Sequence, residues 1–137
     1  MKSEPEPEFL TREIIDIIHE DQIETRGGPH GLRDENALES AIAAARNVYL
    51  YGGGDPYEIA AAYAYHIAES QAYLDGNKRT GAQAALIFME GSGIDTGRLP
   101  EQQTYEAMIK IATHEMDRSD LAEYFRSMLS RGADFAT

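Results

Sequence analysis

Few four-residue stretches commit a backbone as firmly as Asp55-Pro56-Tyr57-Glu58. An acid able to cap is followed by a proline whose fixed φ suits the first helical position, and then by a glutamate placed to close a capping box. The residues that follow keep helical spacing, with Ala60, Tyr63, Ala64, Ile67 and Ala68 on one stripe, and predict a helix to about Ser70. Alanine on that stripe lets neighbouring helices approach closely, so this helix is expected to be central and buried.

The rest of the chain reads the same way. Thr11 can cap a helix with Ile14, Ile15, Ile18 and Ile23, ending before Gly27-Gly28-Pro29. Asp34 can cap a second, with Leu38, Ala41, Ile42 and Ala45 inward, ending before Gly52-Gly53-Gly54. Asn77 to Glu90 forms another, closed by Gly91-Ser92-Gly93, with Ala85, Leu86 and Met89 on its inner face. Tyr105, Met108, Ile109 and Ala112 mark a fifth, and Asp117 can cap a last one carrying Leu121, Tyr124, Phe125 and Met128. Strand signals are almost absent apart from a candidate short β-hairpin at Val48 to Gly54. An all-α fold follows. At 137 residues and 42% apolar content the chain can bury one core. The expected division is an arm over 1–9, where Pro5 and Pro7 stand among acids, a single domain over 10–131, and a frayed tail over 132–137.

The formal charge of −12 repels phosphate backbones, so direct nucleic-acid binding is not expected. No apolar run approaches the roughly 20 residues that span a bilayer, no membrane partner is expected, and the charged start does not read as a signal peptide. Absence of cysteine removes disulfides, thiolate catalysis and Cys-ligated zinc. A cytoplasmic protein is the expectation. A small polyanion can still be held where cations and backbone amides converge, because contact geometry outweighs net charge at short range.

One loop offers that convergence. Asp75-Gly76-Asn77-Lys78-Arg79 lies at a loop-to-helix junction, where free amides, the helix dipole and two cationic side chains can meet. Gly76 permits close approach, Arg79 can grip phosphate oxygens bidentately, Lys78 adds a mobile charge, and Asp75 can hold a divalent cation bridging phosphates. On spacing alone, Asn77 could equally cap a helix with Lys78 and Arg79 merely solvated. Two cations in a first turn oppose the helix dipole, however, which points to an anion that offsets them. The loop is not a P-loop, because Ala82 rather than lysine follows Gly81, and Arg79 excludes an EF-hand.

Gln71-Ala72-Tyr73-Leu74-Asp75-Gly76-Asn77-Lys78-Arg79 resembles the Fic/Doc motif, which runs histidine-x-aromatic-x-acid-glycine-asparagine-(glycine or lysine)-arginine. His19-Glu20-Asp21-Gln22-Ile23, Gly27-Gly28, Gly31-Leu32-Arg33-Asp34 and Leu38-Glu39-Ser40-Ala41 are similar to the death-on-curing branch, and the likeness spans roughly residues 10 to 129. The resemblance implies a compact helical bundle whose central helix leads into the motif loop, with the next helix N-terminus as anion hole. Most members transfer AMP from ATP to a protein hydroxyl. The Doc branch, with lysine at the position of Lys78, transfers phosphate. Its members are typically toxins restrained by a small antitoxin and directed at the translation machinery. By residue match, Asp75 would bind the metal, Mg²⁺, and Gly76, Asn77, Lys78 and Arg79 the phosphates of ATP. Val48 to Asp55 would lie where the family has a target-docking flap.

This chain departs from the motif at its first position, where the family's histidine accepts the proton of the attacking hydroxyl. Gln71 stands there, an amide that does not titrate. A positioned general base contributes about 10²- to 10⁴-fold. Phosphoryl transfer leans on positioning and charge stabilisation, and certain GTPases orient water with glutamine, so Gln71 can orient the hydroxyl beside Lys78 and Arg79. Two readings follow: a weakened toxin-like transferase, or a degenerate protein that binds nucleotide or a partner without catalysis. A plain interaction module would be indifferent to Lys78 and Arg79. Of the other histidines, His66 lies five positions before Gln71 on the preceding helix and reads as a core or cap residue. His19 and His114 each precede glutamate without completing a zinc motif, since Ile23 and Arg118 fill the last position, and both read as structural. His30 has no visible partner. Tyr57, Tyr63, Tyr65 and Tyr105 read as core or rim residues.

Overall fold

In the computed structural model, which describes residues 6–130, side-chain caps start four of the six helices. Thr11 Oγ1 accepts from the Ile14 N–H to begin α1 (Arg12–Arg26), and Asp34 accepts from Ala37 N–H to begin α2 (Glu35–Gly52). Full capping boxes open α3 (Pro56–Ser70), where Asp55 and Glu58 exchange 2.9 Å bonds, and α6 (Arg118–Leu129), where Asp117 pairs with Asp120. The starts of α4 (Asn77–Gly91) and α5 (Glu101–Ala112) have no side-chain cap bond. At α4 that vacancy falls where the motif lies.

The bundle is organised around α3. Ile59, Ala60, Ala61, Ala62, Tyr63 and Ala64 are buried in succession, which happens only when a helix is enclosed on all sides. It packs chiefly on α4, α2 and α6 and also touches α5, while α1 leans on α4. A close approach is at Gly81 of α4, where a Cβ would stand 2.7 Å from the Ala64 carbonyl oxygen. The one phenol fully inside, Tyr63, accepts a 2.9 Å bond from Leu10 N–H, tying the chain entry to the central helix. Phe9, at the end of the expected arm, packs on Tyr49 and Phe88. Residues 1–5 of that arm and the expected tail from 132 lie outside the described residues.

Three expectations shift. The candidate hairpin at Val48 to Gly54 is helical: α2 runs on to Gly52 and stops at Gly53, whose φ of 63° is left-handed. The β-branched and aromatic side chains gave a strand signal, but a helix already nucleated at Asp34 propagates through them until glycine ends it. Among the described residues the β pairing is an isolated bridge between Leu32 and Tyr73. On α5 the buried face is Thr104, Ala107, Met108 and Ile111, with Tyr105 and Ile109 exposed. Thr104 can be buried because its hydroxyl donates back to Pro100 O at 2.9 Å, which frees the larger residues to face outward. On α1, Ile14 is exposed while Ile15, Ile18 and Ile23 form the core face. No helix among the described residues is long and apolar enough to cross a membrane.

Candidate functional site

The motif begins where α3 ends. Gln71 takes left-handed angles (φ 51°), costly for a side-chain-bearing residue, and turns the chain out of the helix. Beyond it the backbone runs against the α1–α2 loop. Arg33 N–H and Asp34 N–H both donate to Ala72 O, at 2.6 and 3.0 Å, and Leu74 N–H donates to Gly31 O at 3.0 Å. The glycines of that loop make room: a Cβ at Gly28 would meet Asp75 Oδ2 at 2.6 Å, and its φ of 115° is itself a glycine conformation.

Two side chains then hold the turn. His19, 4% exposed, lies flat on the Tyr73 ring with centroids 3.7 Å apart, and its Nε2 bonds Asp75 O at 2.8 Å. Tyr73 donates its hydroxyl to Asp16 Oδ1 at 2.6 Å; burial first and that bond second push its pKa far up, so it remains a donor. Asn77 forms a reciprocal pair with Tyr73, accepting from its N–H and donating to its C=O, both at 3.0 Å. The Asn77 side chain therefore shapes the loop, and what it offers the site is its backbone N–H. Removing the imidazole should be felt as stability: His19→Leu is expected to cost about 1–3 kcal/mol, read as a lower urea midpoint at unchanged slope.

Gly76, left-handed at φ 79°, delivers the chain into α4. The first helical bond there is Thr80 N–H to Gly76 O, so the amides of Asn77, Lys78 and Arg79 have no backbone partner among the described residues. Neither Lys78 nor Arg79 is in an ion pair among the described residues. Gln71, Asp75, Gly76, Asn77, Lys78 and Arg79 all line one cavity of about 380 Å³. Asp75 Oδ1 accepts from Gly76 N–H at 2.8 Å, leaving Oδ2 as the oxygen available to a cation. Positive partial charge from three amides, two cations and a helix dipole thus converges beside one carboxylate, an arrangement suited to a metal-bridged polyphosphate.

Sequence reasoning missed the far wall. Tyr105, Ala112 and His114, from α5 and the turn after it, line the same cavity, as do Glu69 and Leu74. His66 does not. It lies in a separate cavity of about 540 Å³, with Asn47, Val48, Glu58 and Arg118, and its Nε2 is 3.1 Å from Arg118 Nη1. Burial and the Arg118 charge hold its pKa low. His30 has partners after all, its two ring nitrogens lying 3.4 and 3.3 Å from Glu20 and Glu24. Those three are exposed and close enough together for one cation, but the group does not include Asp75.

Comparison with known proteins places relatives beside this fold. The chain is 27% identical over 120 residues to "Protein kinase doc" of Escherichia phage P1, covering 87% of this chain and 94% of that protein. It is 31% identical over 121 residues to "Toxin Doc" of Mycolicibacterium smegmatis, covering 84% of this chain and 88% of the relative. The sequence model of the Fic/DOC family matches residues 9–89, from the chain entry through the helix that follows the motif. With the motif loop, the enclosing helices and the family match in register, this chain belongs to the Fic/DOC family.

Proposed function

We propose that the chain is a Doc-type toxin of a toxin–antitoxin pair, which moves a phosphoryl group from ATP onto a protein hydroxyl, with the translation machinery as the expected target. A small antitoxin protein is the expected restraint. The observation that carries this reading is the start of α4, where three residues whose amides have no backbone partner among the described residues, two of them cations in no ion pair there, line the cavity with Gln71 and Asp75. Such a helix start is electrostatically incomplete without an anion. Two relatives, bearing the names of a protein kinase and a toxin, support the direction of the reaction and its setting.

In this scheme Arg79 grips the transferred phosphate through two parallel bonds, Lys78 follows the charge as it shifts to the leaving group, and the amides fix the remaining oxygens. Gln71 orients the attacking hydroxyl. Asp75 Oδ2 fits Mg²⁺, a cation commonly held by one or two carboxylates and the substrate phosphates rather than by a protein cage. When bound, the ion neutralises phosphate charge. Gln71 also favours a second reading, in which the site binds nucleotide without turning it over.

The test is incubation of the chain and its Gln71→His variant with ATP carrying separate γ-phosphate and adenylate labels, in cell extract. Both are expected to place the γ-phosphate label on the same protein, the histidine variant faster. Adenylate label instead would make the reaction AMP transfer. Label from the variant alone would establish the non-catalytic reading, and label from neither would overturn the assignment.

A further inference from the structure

Among the described residues two non-glycine positions have positive φ, Gln71 at 51° and His114 at 63°, and both line the motif cavity. Side chains in left-handed backbone cost free energy, and such strain gathers where function requires it. His114 occupies the turn that ends α5: its N–H bonds Ile111 O at 3.1 Å, and Glu115 and Met116 N–H return to Lys110 O at 2.8 and 3.2 Å. Glycine is the residue such a turn favours. An imidazole is present instead. The rings of His19, His30 and His66 each have a partner, whereas that of His114 has none among the described residues.

From this geometry we infer that His114 accepts the proton that Gln71 cannot, supplying from the α5 wall the general base missing from α3; the inference rests on the transfer reading above. The other titratable groups lining the cavity are Glu69 from α3, Asp75 from the loop, Lys78 and Arg79 from α4, and Tyr105 from α5, and Glu115 follows in the chain. The two cations are committed to phosphate and Asp75 to its turn and the metal. A carboxylate is intrinsically a weaker base than imidazole by about two pKa units. Imidazole is the side chain suited to exchanging protons near neutrality.

In the step, the O–H proton of the target hydroxyl passes to the ring as the oxygen bonds the transferred phosphorus. The P–O bond to the rest of the nucleotide breaks, its electron pair leaves on the nucleoside diphosphate, and the imidazolium returns its proton to water. His114→Gly separates this role from a structural one, because glycine suits the turn better than histidine. The variant is expected to gain about 2–4 °C in Tm while losing about 10²-fold or more in γ-phosphate transfer. Its affinity for ATP should not change, and the dependence of the transfer rate on pH should flatten. Adding Gln71→His to it should restore transfer, since the base is then supplied from α3. A His114→Gly protein that keeps its rate and pH profile would sink the inference and leave the transfer reading intact. Loss of transfer that Gln71→His does not restore would also overturn it, marking His114 as a structural residue. Failure of the unaltered chain to transfer label while binding ATP would defeat the transfer reading itself, and the inference with it.

Discussion

Gly81→Val should remove a large part of the folding free energy of the domain, although no polar contact is removed. A Cβ at position 81 would meet three backbone atoms of Ala64, the carbonyl oxygen at 2.7 Å, Cα at 3.3 Å and the carbonyl carbon at 3.4 Å. Flexible side chains yield to such intrusions at small cost, but helix backbones do not, because α3 is enclosed by α2, α4 and α6. Alanine there should already cost about 1–3 kcal/mol, and valine more than about 3 kcal/mol through its two added methyls. Domain stabilities are only about 5–15 kcal/mol in total. Truncating the neighbour should not help: Ala64→Gly is expected to leave the Gly81→Ala defect unrescued, since the obstructing atoms belong to the main chain. Urea melts of the two single variants and the double variant decide it, and recovery in the double would show that side-chain crowding rather than helix spacing sets the approach. The contact also matters to the site. Gly81 stands two positions after Arg79, so a displaced α4 carries Lys78 and Arg79 away from Gln71 at the end of α3.

What could be read from the amino-acid sequence divides by the range of the interaction concerned. Thr11, Asp34, Asp55 and Asp117 announce helix starts because a cap reaches only three residues ahead, and all four make the expected bond. The motif loop is legible for the same reason, its cations, glycine and acid lying in five consecutive positions. The scaffold beneath it is not. His19 bonds a carbonyl 56 positions away, and Gly31 to Asp34 pair with Ala72 to Leu74 across α2 and α3; no local pattern encodes either partner. The local sequence around His114 speaks only to a zinc-helix spacing, which concerns its own helix, whereas its place in the cavity comes from how α5 packs on α3 and α4. Gly81 carried meaning only as part of a failed P-loop match, and its service as the helix–helix contact point appears only in three dimensions. The misread hairpin shows the converse. Val48, Tyr49 and Tyr51 suit a strand, yet cooperativity within α2 overrides them.

Arg79→Ala should weaken nucleotide binding by about 10- to 10⁴-fold while leaving the fold untouched. Arg79 is half-buried in the first turn of α4, in no ion pair among the described residues, and its loss therefore strands no buried carboxylate. Removing a cation from a helix N-terminus relieves an unfavourable interaction with the dipole, so the empty protein should be equally stable or slightly more so. With nucleotide bound the sign reverses. One or two charge-assisted bonds to phosphate disappear, each worth about 1.5–3 kcal/mol. Arg79→Lys should recover only part of the loss, because an ammonium supplies the charge without the fork that holds two oxygens at once. Titration calorimetry with ATP and Mg²⁺, paired with thermal melts in the absence of nucleotide, separates the two effects. Lower affinity with an unchanged or raised Tm places Arg79 on the phosphates. Unchanged affinity would remove nucleotide from the function of this cavity, and the anion completing the start of α4 would then have to be sought on a protein partner, as an acidic side chain rather than a phosphate.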